Sequence, residues 1–280
     1  MTKKAIIVVA CAVAALFANG AANWKNLDDA SYISGPKLAE GDLIGKVVLV
    51  YYWDTVTPTS FTYFPEVEKM WSAFKAKKFV AIGSFVGVKV DDKVKEAIKT
   101  NKVTFPVYHH FGIKPPVPGG PGHIFIVNHR GSVVATSTNI KAVTEAVANA
   151  IGAIGMPISL CGDVELKKFK SLEKQLTLGK NVTSVLKSLE KQLKSKDSGI
   201  SAEAQEIISA VERAKNDVKE DIALYREVDP AEAVKLINLF TKTWPKDDSV
   251  QEFKDAVPEL KKAAAEKAKT AKEKGKEVFT

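Results

Sequence analysis

The hydrophobic pattern of residues 23–150 predicts alternating strands and helices. Two continuous apolar runs rich in β-branched and aromatic residues predict strands buried on both faces, and three segments with apolar residues at helical spacing predict helices. Two further short runs predict a hairpin. In chain order these elements are the strand 46–53, the helix 64–77, the strand 79–86, the helix 91–100, the hairpin strands 123–128 and 132–137, and the helix 139–150. This order predicts an α/β fold with a mixed central sheet flanked by helices.

The pattern changes after residue 160. Residues 161–280 carry 46 charged side chains in 120 positions, against 26 in 138 for residues 23–160, and no strand-like run is evident. The predicted amphipathic helices are 164–176, 182–193, 202–227, 230–244 and 250–277. The chain is therefore expected to hold an α/β domain over 23–155, joined through a glycine-containing stretch to an all-α helical domain over 156–280, which ends in a lysine-rich basic tail.

One sequence repeat lies in the helical part. The heptapeptide KSLEKQL occurs at Lys170–Leu176 and again at Lys187–Leu193, with Gly179 between the two copies. The repeat predicts two similar helices in a hairpin.

The first 22 residues have the pattern of an export signal. Lys3 and Lys4 precede thirteen apolar residues, and small residues follow up to Ala22. The apolar run is too short to span a bilayer, which needs about 20 helical residues, and no later segment qualifies. We expect a mature chain that is periplasmic or secreted. A lipid-bearing Cys11, from a lipoprotein-like cleavage box, is the alternative.

The net charge of +8 suggests a nucleic-acid partner only if the basic residues are clustered beside aromatic ones. They are spread along the chain instead. We therefore expect no nucleic-acid partner and no bound cofactor, and a solvated basic surface.

Three segments of the α/β part carry a family resemblance. The run GKVVLVYYWDT at Gly45–Thr55 resembles the opening strand of the thioredoxin-like redoxins, which include peroxiredoxins and periplasmic thiol-disulfide proteins. Phe105–Val107 is similar to their central F-P-V segment, and Ile124–Val134 to their closing hairpin. The resemblance implies a thioredoxin-like domain, and it makes the residues after the first strand the place to look for chemistry.

The resemblance places hydroxyl groups where this family has its active-site thiols. Aligned with W-C-x-x-C, the two cysteine positions fall on Thr57 and Ser60, and alignment with the peroxiredoxin motif again selects Thr57. Gly122 stands where the family has a cis-proline, with Pro121 one residue earlier. Thiol exchange and peroxide reduction need a thiolate, so these departures predict a degenerate active site.

Other chemistry at these hydroxyls would need a base. His123 lies near the predicted site, so a Thr57/His123 pair is one alternative, and a helix start capped by Thr59 or Ser60 is the other. A metal site is a further possibility, and its candidate ligands are His109, His110 and His123 with Asp54. Adjacent histidines on a strand point to opposite faces, which disfavours His109 and His110 as joint ligands.

Cys161 is the only cysteine outside the predicted signal, so it has no partner for an internal disulfide. It is either a small buried apolar residue or the link of a disulfide-bonded homodimer.

The sequence leaves three hypotheses for function. The first is an exported, non-catalytic binding or assembly protein of the cell envelope, with a protein partner that the sequence does not identify. The second is a redoxin-type thiol oxidoreductase or peroxidase that relies on Cys161 or on the thiols of a partner. The third is a histidine-based metal-binding module.

Overall fold

The computed structural model describes residues 22–76, 78–114, 116–155, 159–162 and 164–277, without the side chains of Thr59 and of 271–277. The predicted signal peptide, apart from Ala22, and Cys11 lie outside this part of the chain. Two compact units are present, and the division falls between Ile151 and Gly152. We call them the α/β unit and the helical unit.

The α/β unit contains every strand found among the described residues. Its elements are β1 (Asn23–Lys25), β2 (Tyr32–Ser34), β3 (Val47–Trp53), α1 (Phe64–Phe74), β4 (Phe79–Phe85), α2 (Asp92–Thr100), β5 (Val107–His109), β6 (Gly112–Lys114), β7 (Ile124–Val127), β8 (Val133–Ser137) and α3 (Ile140–Gly152). The predicted strands β3 and β4, the hairpin β7–β8 and the three helices are confirmed. The three-residue strands β1, β2, β5 and β6 were not predicted, because runs this short carry no periodicity.

The main sheet has six strands in the order β2-β5-β4-β3-β7-β8. Its centre is parallel, since β4 runs parallel to both β3 and β5. The hairpin strands β7 and β8 are antiparallel to each other, and β7 is antiparallel to β3. A separate antiparallel pair joins β1 to β6. This arrangement confirms the predicted mixed sheet.

Strand β3 lies in the middle of the core. All seven of its residues are buried, as expected of a strand covered on both faces. On one face Val48, Val50 and Tyr52 join the apolar cluster that includes Phe125. On the other face Tyr51 and Trp53 pack edge-on against Phe64 at the start of α1. The carboxyl end of β3 is thereby fixed from both sides.

The predicted helix starts are confirmed in part. Asp91 caps α2 as expected, and its side chain accepts a hydrogen bond from the Val94 backbone N–H. Helix α1 has Pro65 in its first turn, as predicted, but its N-terminal flanking residue Tyr63 makes no side-chain cap. The predicted Thr59 or Ser60 cap is therefore wrong for Ser60, whose hydroxyl bonds to Asp54 instead.

The helical unit consists of helices packed around a core of its own. Its helices are α4 (Glu173–Thr177), α5 (Val182–Gln192), α6 (Ser198–Val228), α7 (Pro230–Thr243) and α8 (Ser249–Glu277). Asp197 caps α6 through the N–H groups of Gly199 and Ile200. Asp229 ends α6 and caps α7, where Pro230 takes the first helical position. The predicted α/β fold followed by an all-α region is confirmed.

One predicted helix is mostly absent. Helical structure over 164–176 is confined to a short 3-10 turn at Lys170–Leu172 and the five residues of α4. The preceding backbone binds the side chain of Glu203 on α6 instead, through the N–H groups of Lys167, Lys168 and Phe169 at 2.8–3.1 Å. Those N–H groups are satisfied without a helix, so the helical sequence pattern is overridden.

Within the described part of the chain, no helix combines the length and apolar character needed to cross a bilayer.

Candidate functional site at the turn after strand β3

The turn that follows β3 holds the two positions where the resemblance expects sulfur. Asp54 comes directly after the strand, and a 3-10 turn spans Pro58–Phe61 before α1 begins. Ser60 is fully buried and Asp54 is 7% exposed, so the polar side chains of this turn point into the protein. Buried polar groups must find partners, and here they bind one another.

The Asp54 carboxylate is the centre of the turn. Its Oδ1 accepts hydrogen bonds from the Val56 N–H at 3.1 Å, the Thr57 N–H at 2.7 Å and the Ser60 hydroxyl at 3.1 Å. Its Oδ2 accepts from the Thr57 hydroxyl at 2.9 Å. Both hydroxyls at the positions where the resemblance expects thiols are therefore bound to one carboxylate.

Backbone contacts close the same turn. The Ser60 N–H donates to the Thr57 carbonyl at 2.9 Å, and the Asp54 N–H donates to the Ser60 hydroxyl oxygen at 3.2 Å. From the strand beneath, the buried Tyr51 hydroxyl donates to the Ser60 carbonyl. Burial raises the pKa of Tyr51 well above its usual range, so it stays a neutral donor.

The electrostatics of Asp54 disfavour acid-base catalysis by this turn. Burial acts to raise the pKa of Asp54, but hydrogen bonds from Thr57, Ser60 and Val56 outweigh it and lower the pKa. A carboxylate stabilised in its charged form is a weak base, because it gains little by taking a proton from an alcohol. Asp54 therefore binds the two hydroxyls without activating either as a nucleophile.

Gly122 differs from a proline in backbone conformation as well as in side chain. Its φ is +90°, which the pyrrolidine ring cannot adopt. Its N–H donates to the Tyr52 carbonyl at 2.7 Å, and the Tyr52 N–H donates to the His123 carbonyl at 2.9 Å. A proline at position 122 would lose the first of these bonds. The positive φ and the N–H hydrogen bond at position 122 thus favour glycine and exclude proline.

The proposed Thr57/His123 pair is not formed. His123 Nδ1 lies 3.2 Å from both the N–H and the carbonyl oxygen of Gly120, within its own turn. The Thr57 hydroxyl is bound to Asp54. Each side chain therefore satisfies its hydrogen bonds locally.

The adjacent histidines do not point to opposite faces as predicted. His110 has a φ of +51°, which takes it out of the strand, and its ring stacks on that of His109 with centroids 4.1 Å apart. His109 Nε2 lies 2.8 Å from the Gly87 carbonyl oxygen. Burial, His109 and Lys25 lower the pKa of His110. Among the described residues, no group of three or more His, Cys, Asp or Glu is placed to hold a metal ion.

Cys161 lies in the core of the helical unit. Its side chain is 4% exposed, and its Sγ is 3.0 Å from the Ser159 hydroxyl oxygen. An intermolecular disulfide at this position would require local opening of that core, because thiol-disulfide exchange needs access to the sulfur.

Comparison with known proteins finds similarity in structure only. The sequence matches no family model and no curated protein. The thioredoxin domain of a thiol-disulfide oxidoreductase from Bacteroides vulgatus is 22% identical over 47% of this chain and 99% of that one, with a TM-score of 0.36. A thiol-disulfide isomerase from Corynebacterium glutamicum is 18% identical over 46% and 96%, with a TM-score of 0.40. A thiol:disulfide interchange protein from Chlorobium tepidum is 19% identical over 49% and 100%, with a TM-score of 0.38.

The assignment of the fold rests on the topology itself. Parallel strands β3, β4 and β5 are joined through α1 and α2, and the antiparallel hairpin β7–β8 and helix α3 complete the order that the sequence resemblance implied. The α/β unit has the thioredoxin-like fold. The Asp54 turn follows the first central strand of this thioredoxin-like unit, where the resemblance expects the cysteines.

Two exposed valines near this turn were not recognised in the sequence. Val56 is 82% exposed, and Val88, in the loop after β4, is 97% exposed. The parallel register of β3 and β4 brings both loops to the same edge of the thioredoxin-like sheet. Single exposed valines are not detectable by periodicity, and only the sheet topology places their loops at the same edge.

A shallow groove lies beside the turn. It encloses about 300 Å³ and is lined by Thr55, Phe61, Lys93, Glu96, Ala97, Thr100 and Asn101. The last five residues belong to α2 or its end, so the groove runs between the turn and that helix.

Proposed function

We propose that this chain is an exported, non-catalytic protein of the cell envelope, whose thioredoxin-like unit binds a protein partner. The observation that carries the proposal is the Asp54 turn. The two hydroxyls at the thiol positions are both held by one carboxylate. The hydroxyls therefore have a structural role, since their hydrogen bonds to Asp54 form without a substrate.

The chemistry of the turn supports a role without redox turnover. Disulfide exchange and peroxide reduction both begin with attack by a thiolate, and an alcohol does not replace it without a strong base. Thr57 and Ser60 lack such a base, because Asp54 has a lowered pKa. Cys161 is buried in the core of the helical unit, so its sulfur is not accessible to a substrate disulfide.

The exposed valines support binding at this edge of the sheet. Val56 and Val88 project from neighbouring loops, and a partly buried hydrogen bond holds each loop. Asp54 binds the Val56 N–H in the first loop, and His109 binds the Gly87 carbonyl in the second. Apolar side chains presented on fixed loops are features of protein interaction sites. The partner is expected to contribute an apolar side chain that covers both valines.

Export is the remaining part of the proposal. The positively charged and apolar leader over residues 1–22 supports a periplasmic or secreted protein. Processing at Cys11 to a lipoprotein is the alternative, and mass spectrometry of the native N-terminus distinguishes the two.

Enzyme assays test the central part of the proposal. We expect the purified mature chain to reduce neither insulin disulfides nor hydrogen peroxide above the uncatalysed rate, and the Cys161→Ser variant to behave identically. Turnover that disappears in Cys161→Ser would support the redoxin alternative and contradict the proposal. Saturable copper or zinc uptake lost in a His109→Ala/His110→Ala variant would support the metal-binding alternative.

Site-specific crosslinking tests the binding surface. A photoreactive amino acid replaces Val56 or Val88 in the cell, and the control position is Val134, an exposed valine on strand β8. We expect the same discrete adduct from positions 56 and 88 and none from 134. Equal adducts at all three positions, or none at any, would contradict the proposed surface.

A disulfide-linked homodimer through Cys161 remains a prediction of the sequence. Non-reducing electrophoresis of freshly prepared protein checks it. Because Cys161 is buried, we expect a dimer band only after partial unfolding.

A further inference from the structure

A row of lysines lies along the solvent side of helix α8. Lys254, Lys261, Lys262 and Lys269 are all exposed. At about 100° per residue, these four positions fall within roughly a quarter to a third of the helix circumference. Lys272 and Lys276 take the same register positions further along the helix. We call the four exposed residues the lysine stripe.

The opposite side of α8 fixes the direction of the stripe. Phe253 and Leu260 are buried in the core of the helical unit, and Phe253 packs edge-on against Phe240 of α7. Arg226 of α6 binds Glu252, and Lys267 donates to the Glu227 carbonyl at 2.8 Å. With its inner side anchored in this way, α8 turns the stripe outward.

The stripe is made of lysine alone. From Lys254 to Lys269 it extends for about 22 Å at a rise of about 1.5 Å per residue. Its exposed members have no ion pair among the described contacts. Pro258, Ala265 and Ala268 occupy the positions between them, so the stripe presents no large apolar side chain for insertion. It suits adsorption onto a flat, negatively charged surface.

A second row of charge borders the stripe. Glu259 and Glu266 are exposed and seven residues apart, and Glu273 continues the spacing. These carboxylates lie on one border of the stripe, so the helix attracts an anionic surface on one side only. Attraction of this kind acts over about one Debye length and falls as salt is added.

We propose that the lysine stripe of α8 docks the protein on an anionic lipid bilayer, with the helix lying along the plane of the headgroups. Clustered lysines near a bilayer that contains anionic lipids each contribute to binding. The linear arrangement fits a plane better than the curved backbone of a duplex. The absence of arginine from the stripe also disfavours bidentate phosphate recognition of the kind used on nucleic acids.

Vesicle co-sedimentation of the full chain tests the proposal. We expect binding to vesicles of equal parts phosphatidylglycerol and phosphatidylcholine at low salt, no binding to phosphatidylcholine alone, and loss of binding as salt is raised to about 0.5 M. The variant Lys261→Glu/Lys262→Glu/Lys269→Glu should bind at least roughly tenfold more weakly.

The matched control reverses three exposed lysines elsewhere. Lys180→Glu/Lys187→Glu/Lys191→Glu, with Lys180 just before α5 and the other two within it, makes the same change in net charge and leaves α8 intact. We expect it to keep most of the binding, and circular dichroism checks that both variants fold. Equal losses in the two variants would mean that net charge alone drives adsorption, which overturns the proposal. Tight binding of a DNA duplex with no vesicle binding would also overturn it.

Discussion

Asp54 in the thioredoxin-like unit and Glu203 in the helical unit are buried carboxylates that bind backbone N–H groups, but they work over different distances along the chain. Asp54 binds Val56, Thr57 and Ser60, all within six residues. Glu203 binds three consecutive N–H groups at 167–169, which are 34–36 residues away. One carboxylate shapes its own turn, whereas the other holds a distant segment against a helix.

The two carboxylates also differ in how much of the structure depends on each of them. Without Asp54, the turn after β3 would lose its shape, but β3 and α1 have other contacts that keep them in place. Without Glu203, the segment before α4 would lose the acceptor that replaces helical hydrogen bonding. A long-range contact also closes a loop, so its loss is expected to affect more of the structure.

The largest effect is expected from Glu203→Ala. Three N–H groups would lose their acceptor, so we expect the helical unit to be destabilised by about 2–3 kcal/mol. Hydrogen exchange of the amides at 167–169 should become faster, and denaturant unfolding of the unit should shift to lower concentration.

The matched control for that variant is Glu206→Ala. Glu206 lies on the same helix and is exposed. We expect a change within about 0.5 kcal/mol. Equal effects of the two substitutions would mean that Glu203 contributes only helix propensity, and the comparison with Asp54 would fail.

A smaller and more local effect is expected from Asp54→Ala. The Val56 and Thr57 amides and two hydroxyls would lose their acceptor, at a cost of about 1–2 kcal/mol, since these contacts span at most six residues of the chain. Hydrogen exchange should accelerate at 56 and 57 and stay unchanged in β3 and α1. Acceleration throughout the sheet would show that the turn stabilises the whole thioredoxin-like unit.

The smallest expected effect is the acid sensitivity of Asp247, a third carboxylate with a different set of partners. Its side chain lies 2.7 Å from Lys219 Nζ and 3.5 Å from Lys215 Nζ, and it accepts from the Ser249 N–H at 3.0 Å. Burial opposes the shift, but these contacts lower the pKa of Asp247 to about 2.

The sign of the resulting pH dependence follows from the lowered pKa. The stabilisation from Asp247 is complete above the unfolded pKa of 3.8 and is lost as the pH falls towards about 2. Between pH 6 and pH 3 we expect a loss of about 1 kcal/mol from this carboxylate. Unfolding midpoints measured at pH 6 and pH 3 should differ less in Asp247→Asn than in the unmodified chain. If the unfolding midpoint of Asp247→Asn depends on pH as much as that of the unmodified chain, other carboxylates are responsible for the dependence.

The sequence predicted the central strands and helices well, because their apolar periodicity is strong and their neighbours agree with it. β3 and β4 are continuous apolar runs, and α2 begins at the predicted Asp91 cap. The segment at 164–169 was predicted as a helix and is not one, since periodicity does not reveal that a distant glutamate supplies its acceptors. His110 left the strand through a positive φ, which sequence pattern does not report either.

The repeated heptapeptide also shows that a sequence pattern does not reveal how distant residues pack. Its first copy forms a 3-10 turn and α4, with Leu176 buried, whereas its second copy falls mostly in α5, with Leu189 buried. These two leucines occupy different positions of the motif. Identical residues therefore adopt different structures, because packing in the helical unit selects which leucine enters the core.

The resemblance selected the residues of the candidate site but did not reveal the contacts between them. The resemblance identified Thr57, Ser60 and Gly122, and the structure brings Thr57 and Ser60 together at one carboxylate. The Tyr51 hydroxyl contact and the exposed Val56 and Val88 required the fold to be known, since strand register and loop placement decide them.

Disulfide reductase turnover in the unmodified chain and in Thr57→Cys/Ser60→Cys tests whether the missing thiols of this turn make the protein non-catalytic. The Ser60 N–H bond to the Thr57 carbonyl places the two residues one turn apart, a spacing that suits a disulfide. We expect no turnover in the unmodified chain, and in the double variant an internal disulfide and measurable insulin reduction. Comparable turnover in both proteins would contradict the proposal that the unmodified chain is non-catalytic.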